Sequence, residues 1–334
     1  PARRYDLMNA YEYAQFRNER WIAAGEAPTY TEEQLEEFRR TGGTDWQDEL
    51  LRSAPIQNYQ LGVSGGKENV QYAFSGNYFN QQGTMINSFL KRISTRANVD
   101  IQANDRLHFG LNFTAAHTWS NQLPTGGGRN GRTGVQTPTS GNIYQGALFY
   151  NPAIPVFDEN GEYTLNNSQT NGEVEGAIQS NVPYGNPIAY ANLAENRNFS
   201  TRILNNLFGE WEIIEGLKLR VTGGANLLFT KQNRYEPSTI WVGQRAPNGR
   251  AQVGTVQNID WLNENILSYE RSFGGNHQIN LTGGFTVQAF QSESLNGSNV
   301  DFTNDVLGYD NLQGGNAGGE FPPSLNSGAD EWQL

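Results

Sequence analysis

The stretch "NVQYAFSGNYF", Asn69 to Phe79, decides the fold. Taken at every second residue it splits into two sets: Val70, Tyr72, Phe74, Gly76 and Tyr78, and Gln71, Ala73, Ser75 and Asn77. A strand points successive side chains to opposite faces, so one face here is aromatic and the other small and polar. Two environments suit such a strand. Its apolar face lies on a protein core with the polar face in water, or its apolar face lies in lipid with the polar face in a wet lumen.

The period of two continues outward from this stretch, through most of the chain after Pro55. Tyr59, Leu61 and Val63 alternate with Gln60, Gly62 and Ser64. Ile93, Ala97, Val99 and Ile101 alternate with Arg92, Ser94, Arg96, Asn98 and Asp100. Leu107, Phe109, Leu111, Phe113 and Ala115 alternate with His108, Asn112 and Thr114. Three further runs cover 203–213, 217–229 and 279–287; in the first, Leu204 and Phe208 interrupt the polar set. The run "DWLNENILSYERSF" is the weakest, with a break in phase near Asn263. The reading gives about eight strands of ~10 residues or more. Soluble strands usually run ~5–6 residues, whereas a tilted bilayer-spanning strand needs ~9–11.

The connections decide between the two environments. "GGKEN" at 65–69, "ANDR" at 103–106, "EG" at 215–216 and "GGN" at 274–276 are tight. Between them come longer segments at 80–90, 120–200, 231–257 and from 292 onward. Alternation of short turns with long loops is the habit of outer-membrane barrels, whose periplasmic turns are short and extracellular loops long. Val70, Tyr72 and Phe74 are therefore expected to face lipid, and Gln71, Ser75 and Asn77 the lumen. The fold expected is all-β: an antiparallel transmembrane β-barrel fragment with a short helical segment on the extracellular side. Its parts are a helical segment at 1–55, barrel strands with long loops at 56–291, and an extracellular loop at 292–334.

Composition agrees. Hydrophobic residues make up 36% of the 334-residue chain, below the ~45–50% of an ordinary globular protein. Charged residues are only 17% and aromatics reach 12%, so this is not a charge-rich disordered chain. A net charge of −11 argues against nucleic acid as a partner. The chain has no Cys, which excludes a disulfide framework and a thiolate metal site. No apolar run reaches the ~18 residues of a transmembrane helix. The chain opens at Pro1 without a signal peptide and closes in a Gly/Asn-rich run, so a processed or truncated chain is expected.

Helix signals are confined to the first fifty residues. In "DLMNAYEYAQFRNERWIAAG", Asp6 is the expected N-cap and Gly25 the residue just past the end. In "YTEEQLEEFRRTGG", Thr31 and Gln34 form a capping box, Tyr30 and Leu35 a hydrophobic staple, and Gly42 and Gly43 a stop. Glu32 and Glu33 sit at the positive end of the helix dipole, Arg39 and Arg40 at the negative end.

Signals for catalysis are weak. His108, His117 and His277 lack ligand-spaced neighbours. "TGGGRNGRTG" at 125–134 lacks the Lys-Ser/Thr ending of a phosphate loop. Asp158 and Glu159 lie in "FDENGEY", a turn sequence. No catalytic residue, metal site or cofactor is expected.

The stretch 44–100 carries a family likeness, on Thr44-Asp45-Trp46, Ala54-Pro55, Ser64-Gly65-Gly66, Tyr78-Phe79-Asn80-Gln81-Gln82-Gly83, Arg92, Arg96 and Asn98-Val99-Asp100. It resembles the SusC/RagA class of TonB-dependent outer-membrane transporters. "DLMNAYEYAQFRNE" is similar to the segment that follows the plug domain in that class, and "NRNFSTRILNNLFGEWEIIEGLKLRVTGG" to a later hairpin. The resemblance implies a plugged barrel of twenty-two strands in a bacterial outer membrane, importing large nutrients, mostly glycans and sometimes peptides. It implies a SusD-like surface lipoprotein over the mouth and the TonB-ExbB-ExbD energy system acting through a plug. This chain carries no plug, which is the main departure from the pattern. A passive porin-like channel or an adhesin-type barrel is the alternative, and a soluble β-sandwich a more distant one.

Two groups of residues follow as candidate sites. The loop 141–190 is aromatic, and Tyr144, Phe149, Tyr150, Tyr184 and Tyr190 are the candidates for stacking on substrate or gripping a partner; packing of the loop on itself is the competing role. Arg92, Arg96, Arg202 and Arg220 fall on the lumen-facing set, where they would pair with a plug or stand solvated. Trp119 and Trp241 are expected in an aromatic girdle at extracellular strand ends.

Overall fold

The computed structural model describes residues 4–123, 128–129, 136–137, 143–164, 185–240, 249–274, 277–316 and 324–333. Nine of its strands form one antiparallel sheet: β1 Ile56–Lys67, β2 Val70–Gln82, β3 Phe89–Asn104, β4 Leu107–Asn121, β7 Glu195–Ile214, β8 Leu217–Glu236, β9 Arg250–Phe273, β10 His277–Val300 and β11 Ser324–Gln333. They stand side by side in chain order, each paired only with its sequence neighbours in the sheet. Two short strands, β5 Gly128–Arg129 and β6 Gln136–Thr137, pair separately in the loop between β4 and β7. The sheet has nine strands where the sequence reading counted about eight, the added one being β11.

The register makes one face continuous. Residues directly opposite in an antiparallel pair share a face. Tyr72 faces Val99, Val99 faces Leu111, and Leu111 faces Leu207. The adjoining row runs Val63, Phe74, Ala97 and Phe113. On the far side Leu219 meets Leu267, and Leu281 and Phe285 lie in the rows on either side of that pair. Nothing in the described protein covers this face: Leu61 is 82% exposed, Phe285 65%, Phe74 44% and Tyr72 40%. A bare apolar surface of this extent is a membrane surface rather than a defect. Stacking against a second sheet, the soluble alternative, is absent among the described residues.

Two strand readings change. The phase break near Asn263 is not a strand end, since β9 pairs through it without a register shift on either side. Asn263 and Asn265 keep the apolar face, and the Asn265 amide donates to Asn263 Oδ1 at 2.7 Å, so the two polar groups partly satisfy each other. The loops after β8 and β10 are also shorter than expected. β8 runs on to Glu236 and β9 starts at Arg250, while β10 reaches Val300 and β11 follows. The boundary at 292 therefore falls inside a strand. Polar stretches such as "KQNRYE" read as loop because they stand beyond the lipid, where a strand has no need of an apolar face.

The tight turns all close one end of the sheet and the long connections the other. At the long-loop end sit five helices: α1 Ala10–Ala23, α2 Glu32–Thr41, α3 Trp46–Leu50, α4 Ile143–Phe149 and α5 Pro187–Leu193. The N-cap of α1 is Asn9, in a capping box with Glu12, and not Asp6. Asn9 won because it has a capping-box partner three residues on. Gly25 follows the helix at φ +85° as expected. Thr31 and Gln34 cap α2, which ends at Gly42 in the left-handed region. The short α3 was unforeseen; Asp45 caps it by accepting from the amides of Gln47 and Asp48.

Candidate functional site

Two surfaces carry polar and aromatic chemistry: the polar face of the wall and the packed cap at its long-loop end.

On the polar face, Arg92, Arg96, Arg202 and Arg220 share one side of the sheet, opposite the apolar rows. The Arg92 guanidinium lies 5.6 Å from the Phe79 ring, and Arg202 Nε donates to Asn226 Oδ1 at 3.0 Å. Arg220 does more. Its guanidinium stacks at 3.9 Å on the Phe208 ring and reaches Glu210 at 3.6 Å. Phe208 meets the His108 ring edge-on at 5.1 Å, and His108 Nε2 contacts the Asp100 carboxylate at 2.9 Å. Phe208 fits because it lies across Gly110, where a Cβ would stand 2.1 Å from the ring. Beside it, Gln71, Asn98, Asp100, Asn112 and Phe208 line a groove of about 760 Å³. Sequence reading marked Arg220 but treated Phe208 as an irregularity. It is the platform on which the arginine rests.

The cap joins the N-terminal helices to the loop between β4 and β7. Its core is Trp46, Leu50, Leu123, Ile143, Ala147, Tyr150, Val156, Ile188 and Ala191. Trp46 stacks edge-on against Tyr150 at 4.8 Å and donates its indole N–H to the Asn151 carbonyl at 3.0 Å. Ile86 N donates to the Leu50 carbonyl and Arg52 N to that of Thr84, which ties the β2–β3 loop in as well.

The five aromatic candidates separate here. Tyr150 is buried, and burial pushes its phenol well above the usual range. Tyr190 is partly buried against the same core. Its hydroxyl donates to Glu236 Oε1 at 2.7 Å and accepts from Arg234 at 3.2 Å. Burial first, then the Glu236 charge, raise the Tyr190 pKa against the opposing pull of Arg234. Arg234 and Glu236 pair directly, with Glu236 only 1% exposed. Tyr144 is partly buried against the cap core. Phe149 alone among the described four is open, 57% exposed. The Tyr150 ring is thus part of the cap core, and the Tyr190 hydroxyl is engaged by Glu236 and Arg234. Tyr184 and Trp241 lie outside the described residues.

A further tie escaped sequence reading. Asp305, in the β10–β11 connection, accepts from the Tyr235 hydroxyl at 2.5 Å and from Ser238 N at 2.9 Å and Oγ at 2.7 Å. Partial burial alone would raise this carboxyl, but the three hydrogen bonds together outweigh it and hold it below the usual carboxylate range. Phe302 packs on Tyr235 and Ala251 beside it. Among the described residues no group of His, Asp and Glu is arranged to hold a metal ion.

A one-sided apolar wall of long antiparallel strands, polar on its other face and capped at one end by folded loops, defines the class of transmembrane β-barrel proteins. No family model matches the chain. Against individual proteins it is 30% identical over 316 residues to TonB-dependent receptor P3 of Formosa agariphila, covering 93% of this chain and 28% of that protein. It is 32% identical over 274 residues to TonB-dependent receptor P26 of the same organism, covering 80% of this chain and 24% of that protein. It is 25% identical over 186 residues to TonB-dependent receptor SusC of Bacteroides thetaiotaomicron, covering 55% of this chain and 16% of that protein. Among solved structures, the RagAB peptide transporter superposes with a TM-score of 0.66 at 18% identity, covering 98% of this chain and 37% of the matched one. Over most of its length the chain is similar to TonB-dependent receptors, SusC among them, and it has the fold of part of a barrel wall. It spans about a quarter of the length of the Formosa receptors P3 and P26.

Proposed function

We propose that the protein works in a bacterial outer membrane as part of a TonB-dependent importer of large nutrients, with no catalysis of its own. The observation that carries this reading is the match to TonB-dependent receptor P3 across 93% of the chain, joined to a wall that is apolar outside and polar inside. The polar face would line the route of the cargo and receive the plug, with Arg92, Arg96, Arg202 and Arg220 as its cations. Arg96 is exposed and makes the readiest contact; Arg220 is already engaged by Phe208 and Glu210.

The cargo we assign is oligosaccharide, taken up with a SusD-like lipoprotein seated on the cap. Phe149 and Tyr144 are the aromatic groups that would meet sugar or lipoprotein. A peptide cargo is the second reading, favoured by the likeness to the RagAB peptide transporter. Uptake assays separate these. Cells carrying the intact gene are given labelled oligosaccharides or peptides, with and without a functional TonB system. Loss of uptake without TonB supports active import, and uptake that persists unchanged supports a passive channel. The cargo class that accumulates decides between sugar and peptide.

A further inference from the structure

The outer face of the wall changes character where the apolar band ends. Lys91 of β3 faces Trp119 of β4, Trp119 faces Phe199 of β7, Phe199 faces Lys231 of β8, and Lys231 faces Thr255 of β9. All five lie on the apolar side of the sheet. One row further from the tight turns, Phe89 faces Asn121 and Asn121 faces Arg197. Lys91 Nζ is 5.3 Å and Arg197 Cζ 5.8 Å from the centre of the same Phe89 ring, so two cations share one aromatic ring.

Height places this strip. Trp119 is twelve residues along β4 from Leu107, and Lys231 fourteen along β8 from Leu217. At ~3.4 Å per residue and a tilt of about 40°, that is roughly 30–36 Å above the tight turns, where the ~30 Å hydrocarbon layer gives way to headgroups. Below the strip lie Ile93, Ile203, Leu227 and Phe229.

The charges are available. Neither Lys91 nor Lys231 has an acidic partner within salt-bridge distance among the described residues. Arg197 is paired with Glu195 at 3.3 Å, which leaves part of its guanidinium free to bind. The remaining acids on the strands of this side are Glu293 of β10, two strands from Lys231 and one row nearer the tight turns, and Glu331 of β11, three strands away and one row lower still. Two unneutralised lysines on an otherwise acidic chain, beside Trp119 and directly above an acyl-chain surface, complement an anion that carries its own hydrocarbon.

We infer that this strip is a binding site on the outer wall for a lipid of the outer leaflet that carries two phosphates, with Lys91 and Lys231, three strands and about 14 Å apart, on one phosphate each, Trp119 and Phe199 against the headgroup between them, and acyl chains along the apolar rows beneath. The inference rests on the outer-membrane reading given above. Lysine suits a phosphate as a mobile point charge, and each cation near a membrane surface is worth roughly a fivefold change in binding.

The test uses the intact receptor in detergent, titrated with phosphorylated lipid A, with the same lipid dephosphorylated, and with inorganic phosphate alone; retention of lipid is read by native mass spectrometry. Phosphorylated lipid A should bind at least tenfold more tightly than the dephosphorylated form, and a Lys91→Gln/Lys231→Gln variant should lose most of that difference. A Lys91→Arg/Lys231→Arg variant should keep it, which separates lost charge from lost folding. Equal affinity for the two lipids, or an unchanged preference in the glutamine variant, overturns the inference. Inorganic phosphate binding as tightly as the lipid also overturns it, since the hydrocarbon would then contribute nothing. Absence of the receptor from the outer-membrane fraction would sink the outer-membrane reading and this inference together, whereas its presence there without lipid preference sinks this inference alone.

Discussion

Tyr190, Glu236 and Arg234 show how much one buried hydroxyl can settle. The Tyr190 hydroxyl and Arg234 both meet Glu236 Oε1, and the Arg234 and Glu236 side chains are buried. Glu236→Gln removes the charge that Arg234 answers, and breaking a buried ion pair costs about 3–5 kcal/mol. Tyr190→Phe leaves the ion pair intact and costs about 1–3 kcal/mol. Hydrogen exchange of the α5 amides should therefore accelerate in both variants, more steeply in Glu236→Gln; equal protection in the two would refute the ranking. Asp305 makes a claim about acid. Its folded pKa lies below its unfolded one, so the stability it lends is present above the unfolded value, ~3.9, and is lost as pH falls through the folded value. Proteolysis of the 301–316 strap should speed up below about pH 4 in the wild type. In Asp305→Asn the strap should already be loose at neutral pH, with little further change on acidification. None of these roles was legible in sequence. Tyr190 was marked as an aromatic in an aromatic loop, but its partners lie 44 and 46 residues away, and no local pattern encodes that distance.

At the scale of elements, sequence reading was strongest where local chemistry is complete. The α2 helix was readable to the residue because Thr31, Gln34 and Gly42 each satisfy backbone groups within one turn. The hairpins were readable because turn residues and alternation agree. What failed was α3, whose five residues make sense only once Trp46 and Leu50 enter the cap core. That dependence is testable. Trp46→Ala empties a site against Tyr150 and removes the bond to Asn151, at a cost of about 3–5 kcal/mol. The N-terminal helices should then detach, seen as protease cutting between α1 and β1, while the heat-resistant β-sheet signal in circular dichroism is unchanged. Loss of the sheet signal would mean that the helices help to build the wall.

For the whole molecule, the alternation that opened the sequence reading is also the sharpest prediction. Asn206 and Leu207 are neighbours on β7, yet Leu207 stands among Leu111 and Val99 while Asn206 faces Asn112 and Gly224 on the other side. Leu207→Arg should cost about 2–4 kcal/mol of folding stability in lipid vesicles, and Asn206→Arg close to nothing. Similar costs at the two positions would mean that both faces meet the same medium. The apolar face, strand order and long-loop end could all be read from sequence because lipid imposes a strict period. Strand lengths could not, because beyond the membrane that period relaxes and polar residues such as Gln232 and Asn233 fill both faces.

That surplus length has a consequence of its own. β9 and β10 each run 24 residues, which at ~3.4 Å apiece and a slant of about 40° gives roughly 60 Å of height, twice the hydrocarbon thickness. The upper half is a hydrogen-bonded parapet rising into the medium. On the importer function proposed above, an antibody or phage approaching the cell from that flank meets rigid paired backbone first, and cargo descends through a walled antechamber before it reaches the depth of the lipid.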